Sequence, residues 1–356
     1  MRTQPVDLRS DTLTKPTIEM RAAMAAAEVG DDVYGEDPTV IELEERIAGR
    51  LGMEAALYVP SGSMSNQIAV RVHCQPGEEF LCEADCHIFN YEQAAYAQLF
   101  GIAAQTVQGK SGVLQFEDIA DRIRPDSDLG HSTPTRLICL ENTHNRGSGR
   151  VQPYEVVEEI CAWAAEQGLA RHLDGARLLN AVVASGIPAD EWARHFDTVS
   201  ICFSKGLGAP VGSALCGPRH LIKRAHRLRK LMGGGMRQVG ILAAGALYAL
   251  EHHVERLAED HRHAQMIADA VRSAPGLALR PDVVDTNIVI FEIAPELGTA
   301  ERYCQQLARE GVLMNPNARQ RVRAVTHLDV SAEDVQHACA AIVATAELLR
   351  PQEAVR

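Results

Sequence analysis

Lys205 is the only charged residue in SICFSKGLGAPVGSALCG, residues 200–217. Of the five lysines, Lys15, Lys110, Lys205, Lys223 and Lys230, it lies farthest from any other charged residue, eight positions from Asp197. An amine adds to a carbonyl only when neutral, and apolar surroundings favour the neutral form; the plain alternative is a surface lysine in a loop between two strands. Other stretches also offer chemistry. In PSGSMSN, Ser61, Gly62 and Ser63 open a helix, whose free N–H groups and two hydroxyls suit a phosphate, although alone they would read as an ordinary N-cap. ARHLDGARLLNA places Asp174 at a strand exit with Arg177 beside it, either room for a flat ligand next to a cation or a capping Asp with a salt-bridged Arg. LCEADCHIFNYE sets His87 beside Phe89 and Tyr91, where an imidazole can stack on a ring, act as a base near neutral pH, or simply pack. LENTHNRGSGR offers His144 just past another strand. RKLMGGGMRQ puts Arg237 after three glycines, a close-approach backbone or a loop between helices.

These residues need a scaffold. DPTVIELEERIAGRLG begins with an Asp-Pro pair suited to an N-cap and first turn, runs an apolar stripe through Val40, Leu43, Ile47 and Leu51, and can close at Gly52. AALYV then reads as a strand and residues 64–73 as a helix. Strand-like EEFLCE, RLICLE, ARHLD, DTVSICF and GSALCG are separated by helix-like segments such as YEVVEEICAWAAEQ. Strands alternating with helices predict a doubly wound α/β unit with parallel strands, in which ligands bind beyond the carboxyl ends of the strands. From about Arg256 the pattern changes to a long helix, NIVIFEI, a helix over 300–310, RVRAVTHLDV and a terminal helix, which reads as a smaller α+β unit.

Composition narrows the partners. With 46% hydrophobic and 23% charged residues the 356-residue chain reads as an ordinary soluble globular protein, and its net charge of -12 argues against nucleic acid and anionic membranes. No apolar run reaches spanning length, and the start MRTQPVDLRSD is too polar for a signal peptide. The nine cysteines contain no CxxC, and Cys82, Cys86 and His87 lack a second ligand pair at zinc spacing, so no metal is expected. Reduced, packing cysteines point to the cytoplasm.

A phosphate cradle, an Asp, a stacking His, a carboxylate-binding Arg and a lone Lys at one sheet edge are what pyridoxal 5′-phosphate needs. Its phosphate wants N–H donors, its pyridine nitrogen an anion and its aldehyde an amine. The sequence resembles the low-specificity L-threonine aldolases, pyridoxal-phosphate enzymes with the aspartate-aminotransferase fold (fold type I). The resemblance runs through DLRSDTLTKPT, VGDDVYGEDPTV, PSGSMSNQIA, ENTHN, HLDGAR, SKGLGAPVGS, GGGMRQVGILAAGALYAL and VRAVTHLDV, almost the whole chain. One departure is Ser63, where many relatives carry threonine; the hydroxyl is kept.

The resemblance implies a large coenzyme-binding domain over 15–255 with a mainly parallel sheet. Residues 1–14 and 256–356 would form a smaller domain that completes the substrate carboxylate site. Lys205 would be the Schiff-base lysine, Asp174 the partner of the pyridinium and His87 the residue stacked on the ring. Ser61, Gly62 and Ser63 would hold the phosphate, with Arg237 reaching in from a neighbouring subunit. Ser10, Arg177 and Arg323 would grip the substrate carboxylate, and Tyr34 would lie close to the site. The implied reaction is reversible cleavage of L-threonine or L-allo-threonine to glycine and acetaldehyde, with His87 or His144 as the base for the β-hydroxyl. A homotetramer, as a dimer of dimers with shared sites, is the expected assembly. A β-phenylserine preference, an aminotransferase or β-eliminating lyase of the same fold, and a binding protein without chemistry are the alternatives.

Overall fold

The computed structural model describes residues 4–126 and 130–351; residues 1–3 and 352–356, which belong to the expected smaller domain, lie outside the described residues. Seven strands lie side by side in the order Ala55–Val59, Ser213–Gly217, Thr198–Cys202, Ala170–Gly175, Thr135–Glu141, Glu79–Glu83, Ala103–Val107. Ser213–Gly217 is antiparallel to both of its neighbours, and every other adjacent pair is parallel. Six strands therefore present their carboxyl ends at one edge. The antiparallel strand departs from a purely parallel reading of the alternation, because 200–217 returns directly without a crossover helix.

Both faces of this sheet are covered, which is why its central strands read as nearly continuous apolar runs. Ala56 and Tyr58 point into one core with Ile138, Leu140, Leu173 and Val199, where the helices Pro38–Arg50, Tyr154–Glu166, Leu178–Ser185 and Gly240–His252 pack. Leu57 and Val59 turn to the other face, against Ile68, Ala69 and Val72 of the helix Gly62–His73. That helix begins two residues before the predicted stretch, because Ser61 Oγ accepts from Met64 N at 3.2 Å and caps it. Pro38–Arg50 follows the sequence reading: Asp37 caps Val40 N, and the stripe from Val40 to Leu51 is buried.

A second core forms under an antiparallel sheet in the order Asn315–Ala318, Arg321–Val325, Ile288–Ile293, Leu277–Leu279, covered by the helices Leu257–Ser273, Ala300–Arg309 and Ala332–Leu349. The chain's beginning joins it: Val6–Asp7 pairs in parallel with Val312–Leu313, and Val325 N donates to Leu8 O at 2.8 Å. The segment that follows, from Ser10 to Thr14, is thereby carried from the small sheet to the carboxyl edge of the large one. Thr14 Oγ1 donates to Lys205 O at 2.9 Å.

Candidate active site

The strand ends deliver the chemistry. Ala170–Gly175 carries the buried Asp174 at its exit, and Lys205 follows Thr198–Cys202 by three residues. His87 opens the short helix after Glu79–Glu83. Lys205, His87, Tyr91, Ser10, Arg177 and Arg323 line one cavity of about 340 Å³ between the large sheet and the small one, with Asn145 and Arg146 on its wall. A larger cavity of about 830 Å³ lies between the helices Pro38–Arg50 and Arg219–Leu231; Lys223 lines it, but none of the residues given a chemical role from the sequence does.

The two cavity arginines differ in how they are held. Arg177 is gripped by Asp11 through two parallel bonds of 2.7 Å, Nε to Oδ2 and Nη2 to Oδ1, with both side chains buried. Burial alone would raise the Asp11 pKa, but the Arg177 guanidinium outweighs it and holds the carboxyl well below its ordinary value. Asn287 Nδ2 donates to the same Asp11 oxygen at 3.2 Å. Arg323, on the strand Arg321–Val325, donates Nη2 to Asn145 Oδ1 at 3.0 Å, and its buried Nε has no partner among the described residues. Burial and the nearby Arg177 push its pKa down to about 10. A buried guanidinium with an unused donor beside a second cation favours a bound anion.

His87 donates Nδ1–H to Glu92 Oε1 at 2.9 Å, which leaves Nε2 with its lone pair. Burial acts to lower its pKa, but the Glu92 bond and the charges of Asp174 and Glu92 outweigh burial and raise it. His144 is placed differently. It is fully buried; Nδ1 accepts from Gly147 N at 3.0 Å and Nε2 donates to Glu83 Oε2 at 3.0 Å. Gly112, at φ +79°, lies so close over this ring that a Cβ there would collide with it. Burial acts to lower the His144 pKa, but Glu141 and Glu83 outweigh it and raise it; protonating Nδ1 would nevertheless break the Gly147 bond. Its side chain does not line the cavity.

Asp174 Oδ1 accepts from Ala176 N at 3.1 Å, and Oδ2 accepts from Asn66 Nδ2 at 2.9 Å. The Ser61 to Ser63 turn sits at the exit of the edge strand Ala55–Val59, outside the cavity lining; a Cβ on Gly62 would lie 2.6 Å from Cys202 Sγ, so the helix start is seated against the end of the strand that leads to Lys205. The first-turn N–H groups of Gly62 and Ser63 have no intrahelical acceptor. Arg237 does not reach this cavity: it pairs with Asp31 at 2.9 Å with a side chain 58% exposed, and Tyr34 is 74% exposed. Cys82 and Cys86 are buried in the core with Phe80 and Ile88. His87, Glu92 and Asp174 offer ligand-type atoms within 4.8 Å of one another, a grouping that their hydrogen bonds and the Asn66 amide account for.

The sequence reading did not single out Asp11, Asn66, Glu92 or Asn145. Asp11 stands next to Ser10 in DLRSDTLTKPT and Glu92 closes LCEADCHIFNYE, so proximity to marked residues was the available signal. Asn66 closes PSGSMSN in the same way, but its partner Asp174 is 108 positions away, so its role was not legible.

Comparison with known proteins identifies the family. The beta-eliminating lyase family profile covers residues 7–294. The chain is 44% identical over 336 residues to the low-specificity L-threonine aldolase of Escherichia coli K12, spanning 94% of this chain and 97% of that one. It is 41% identical over 335 residues to the low-specificity L-threonine aldolase 1 of Arabidopsis thaliana, spanning 93% and 94%. The chain belongs to the low-specificity L-threonine aldolase family. A solved Leishmania major threonine aldolase superposes with a TM-score of 0.81 over 97% of this chain and all of that one; at 20% identity that likeness is one of fold. The family's coenzyme is pyridoxal 5′-phosphate, and the residues present fit it: a buried carboxylate at a strand exit, a lysine and an imidazole on one cavity wall, and an unpaired guanidinium donor. No helix among the described residues is long and apolar enough to cross a membrane.

Proposed function

We propose that this protein cleaves L-threonine and L-allo-threonine reversibly to glycine and acetaldehyde. The observation that carries the reading is the convergence of Lys205, His87 and the carboxylate-free Arg323 on one cavity in a chain 44% identical to an enzyme of that name. Pyridoxal phosphate, when bound, supplies an electron-withdrawing ring that stabilises charge left on the substrate's Cα. Lys205 would hold it covalently, Asp174 would accept the hydrogen of its ring nitrogen, His87 would stack on the ring, and Ser61, Gly62 and Ser63 would take the phosphate at the helix start.

Arg323 would bind the substrate carboxylate, with Ser10 beside it and Arg177 contributing the Nη1 side that Asp11 leaves open. Anchoring the carboxylate would fix rotation about the substrate's N–Cα bond and so select which Cα bond is poised to break; aldol cleavage requires that to be Cα–Cβ. Positioning of this kind contributes up to roughly ten kcal/mol in good cases. His87 Nε2, the lone pair that the Glu92 bond leaves available, would take the β-hydroxyl proton. His144, with both nitrogens engaged, would hold the wall formed by Glu83 and Gly147.

Residues 1–14 with 256–356 would act as the smaller domain that brings Ser10 and Arg323 to the larger one over 15–255. The exposed Arg237 and Tyr34 would serve a neighbouring subunit's site, which requires at least a dimer and suits a dimer of dimers. Nine free thiols, eight of them buried, suit a reducing cytoplasm. The test is product analysis on L-threonine, L-allo-threonine and L-phenylserine side by side. Glycine with the matching aldehyde supports the reading; a keto acid or ammonia as the main product overturns it.

A further inference from the structure

Behind Asp174 lies a buried polar chain whose polarity can be worked out atom by atom. Asn66, in the second turn of the helix Gly62–His73, donates Nδ2 to Asp174 Oδ2 at 2.9 Å and to Glu92 Oε1 at 2.8 Å. Its Oδ1 lies 3.2 Å from His172 Nε2. His172 Nδ1 in turn meets Thr198 Oγ1 at 2.9 Å and Thr198 O at 3.1 Å, and His73 Nε2 meets the same Oγ1 at 2.9 Å. Asn66, His172 and Thr198 are all buried.

Two carboxylate oxygens face one end of the Asn66 amide, so that end must be the NH2 group; turning the amide over would set its carbonyl against both acids. The carbonyl must then receive a hydrogen from His172 Nε2. Burial pushes the His172 pKa down to about 3, so the ring is neutral and carries a single hydrogen. With that hydrogen on Nε2, Nδ1 can only accept, from Thr198 Oγ1–H, and the Thr198 carbonyl 3.1 Å away faces its lone pair, one unfavourable contact where a turned Asn66 amide would make two. Thr198 Oγ1 accepts from His73 Nε2–H. Burial pushes His73 down to about 4, so it too is neutral. Each hydrogen in the chain has one acceptor.

We propose that Asn66, locked by the Nε2–H tautomer of His172, is a positioning residue for Asp174 that holds its carboxylate in place for the coenzyme's ring nitrogen. Asp174 then has one fixed donor on each oxygen, Ala176 N and Asn66 Nδ2, and keeps capacity for a further donor. A neutral amide meets this need where a charged partner would not, because it fixes the carboxylate without cancelling its charge. The inference rests on the coenzyme reading above and adds residues that do not line the cavity.

The test is equilibrium binding of pyridoxal phosphate and of 1-deazapyridoxal phosphate, which has C–H in place of the ring nitrogen, to the full chain. The wild-type protein is expected to prefer the natural coenzyme. Asn66→Leu should weaken pyridoxal phosphate by roughly ten- to a hundredfold, the range for a hydrogen bond to a charged group, and the deaza compound by no more than about threefold. His172→Gln, which can still donate to Asn66 Oδ1, should keep most of the preference, whereas His172→Leu should lose it. Equal weakening of both compounds in Asn66→Leu, or a preference left intact, would overturn the inference while leaving the coenzyme reading standing. If Asn66→Leu does not fold, the two His172 variants decide, and equal preference in both overturns it. Wild-type protein that binds neither compound overturns the coenzyme reading and the inference with it.

Discussion

Arg177 and Arg323 bring the same charge to one cavity, and their partners separate their roles. Removing one member of a buried ion pair costs about 3–5 kcal/mol, because the other charge stays buried. Arg177→Gln should therefore lower the melting temperature markedly by stranding Asp11. Arg323→Gln, which strands no carboxylate, should leave melting nearly unchanged and raise KM for L-threonine by roughly ten- to a hundredfold, as expected for a lost charge-assisted bond. Thermal unfolding and initial-rate kinetics on the two variants check this; a KM effect from Arg177 alone would reverse the assignment. The Glu92–His87 pair sets a pH dependence. Burial lowers the His87 pKa, but Glu92 and Asp174 bring it above the ordinary value, so a base that works through neutral Nε2 gains activity only as pH rises through that raised value. Glu92→Gln removes the raising charge and should move the acid limb of kcat/KM to lower pH. An unmoved limb would mean that His87 is not the titrating base.

At the scale of elements, the site depends on where strands stop. Gly62 is tied to the end of Thr198–Cys202 by the Cys202 sulfur, 2.6 Å from where a Cβ would stand. Gly62→Ala should strain the phosphate turn by about 1–3 kcal/mol, the usual cost of overpacking. Coenzyme affinity should fall accordingly, and adding Cys202→Ala should recover most of it in a double-mutant cycle. Capped helices such as Pro38–Arg50 were legible because Asp37, Pro38 and the apolar stripe all act within a few residues. The edge strand Ala103–Val107 was not: only Val107 is buried, and its AAQTV composition carries little apolar alternation. Lys205, His87 and Asp174 were legible because each follows a strand pattern. Asn66 was not, since a polar residue in a helix looks solvent-facing until its distant partner Asp174 is known, and Glu92, in the bend between two short helices, showed only its nearness to His87.

For the whole molecule, the cavity joins two cores. The chain's beginning pairs with Val312–Leu313 and then runs across to present Asp11 to Arg177 and Thr14 to the Lys205 carbonyl. That route could not be read locally, because those contacts span 166 and 191 positions. Arg237 and Tyr34 point the account beyond one chain. If they complete a neighbour's site, mixing inactive Lys205→Ala subunits with inactive Arg237→Ala subunits should restore part of the activity, because one interface then carries an intact site. Activity no higher than in either parent would confine the site to a single chain. The most direct measurement is hydride reduction of the protein loaded with pyridoxal phosphate, followed by peptide mapping. A stable coenzyme adduct on the peptide containing Lys205 is the predicted result; an adduct on Lys15, Lys110, Lys223 or Lys230, or on no lysine, would contradict it.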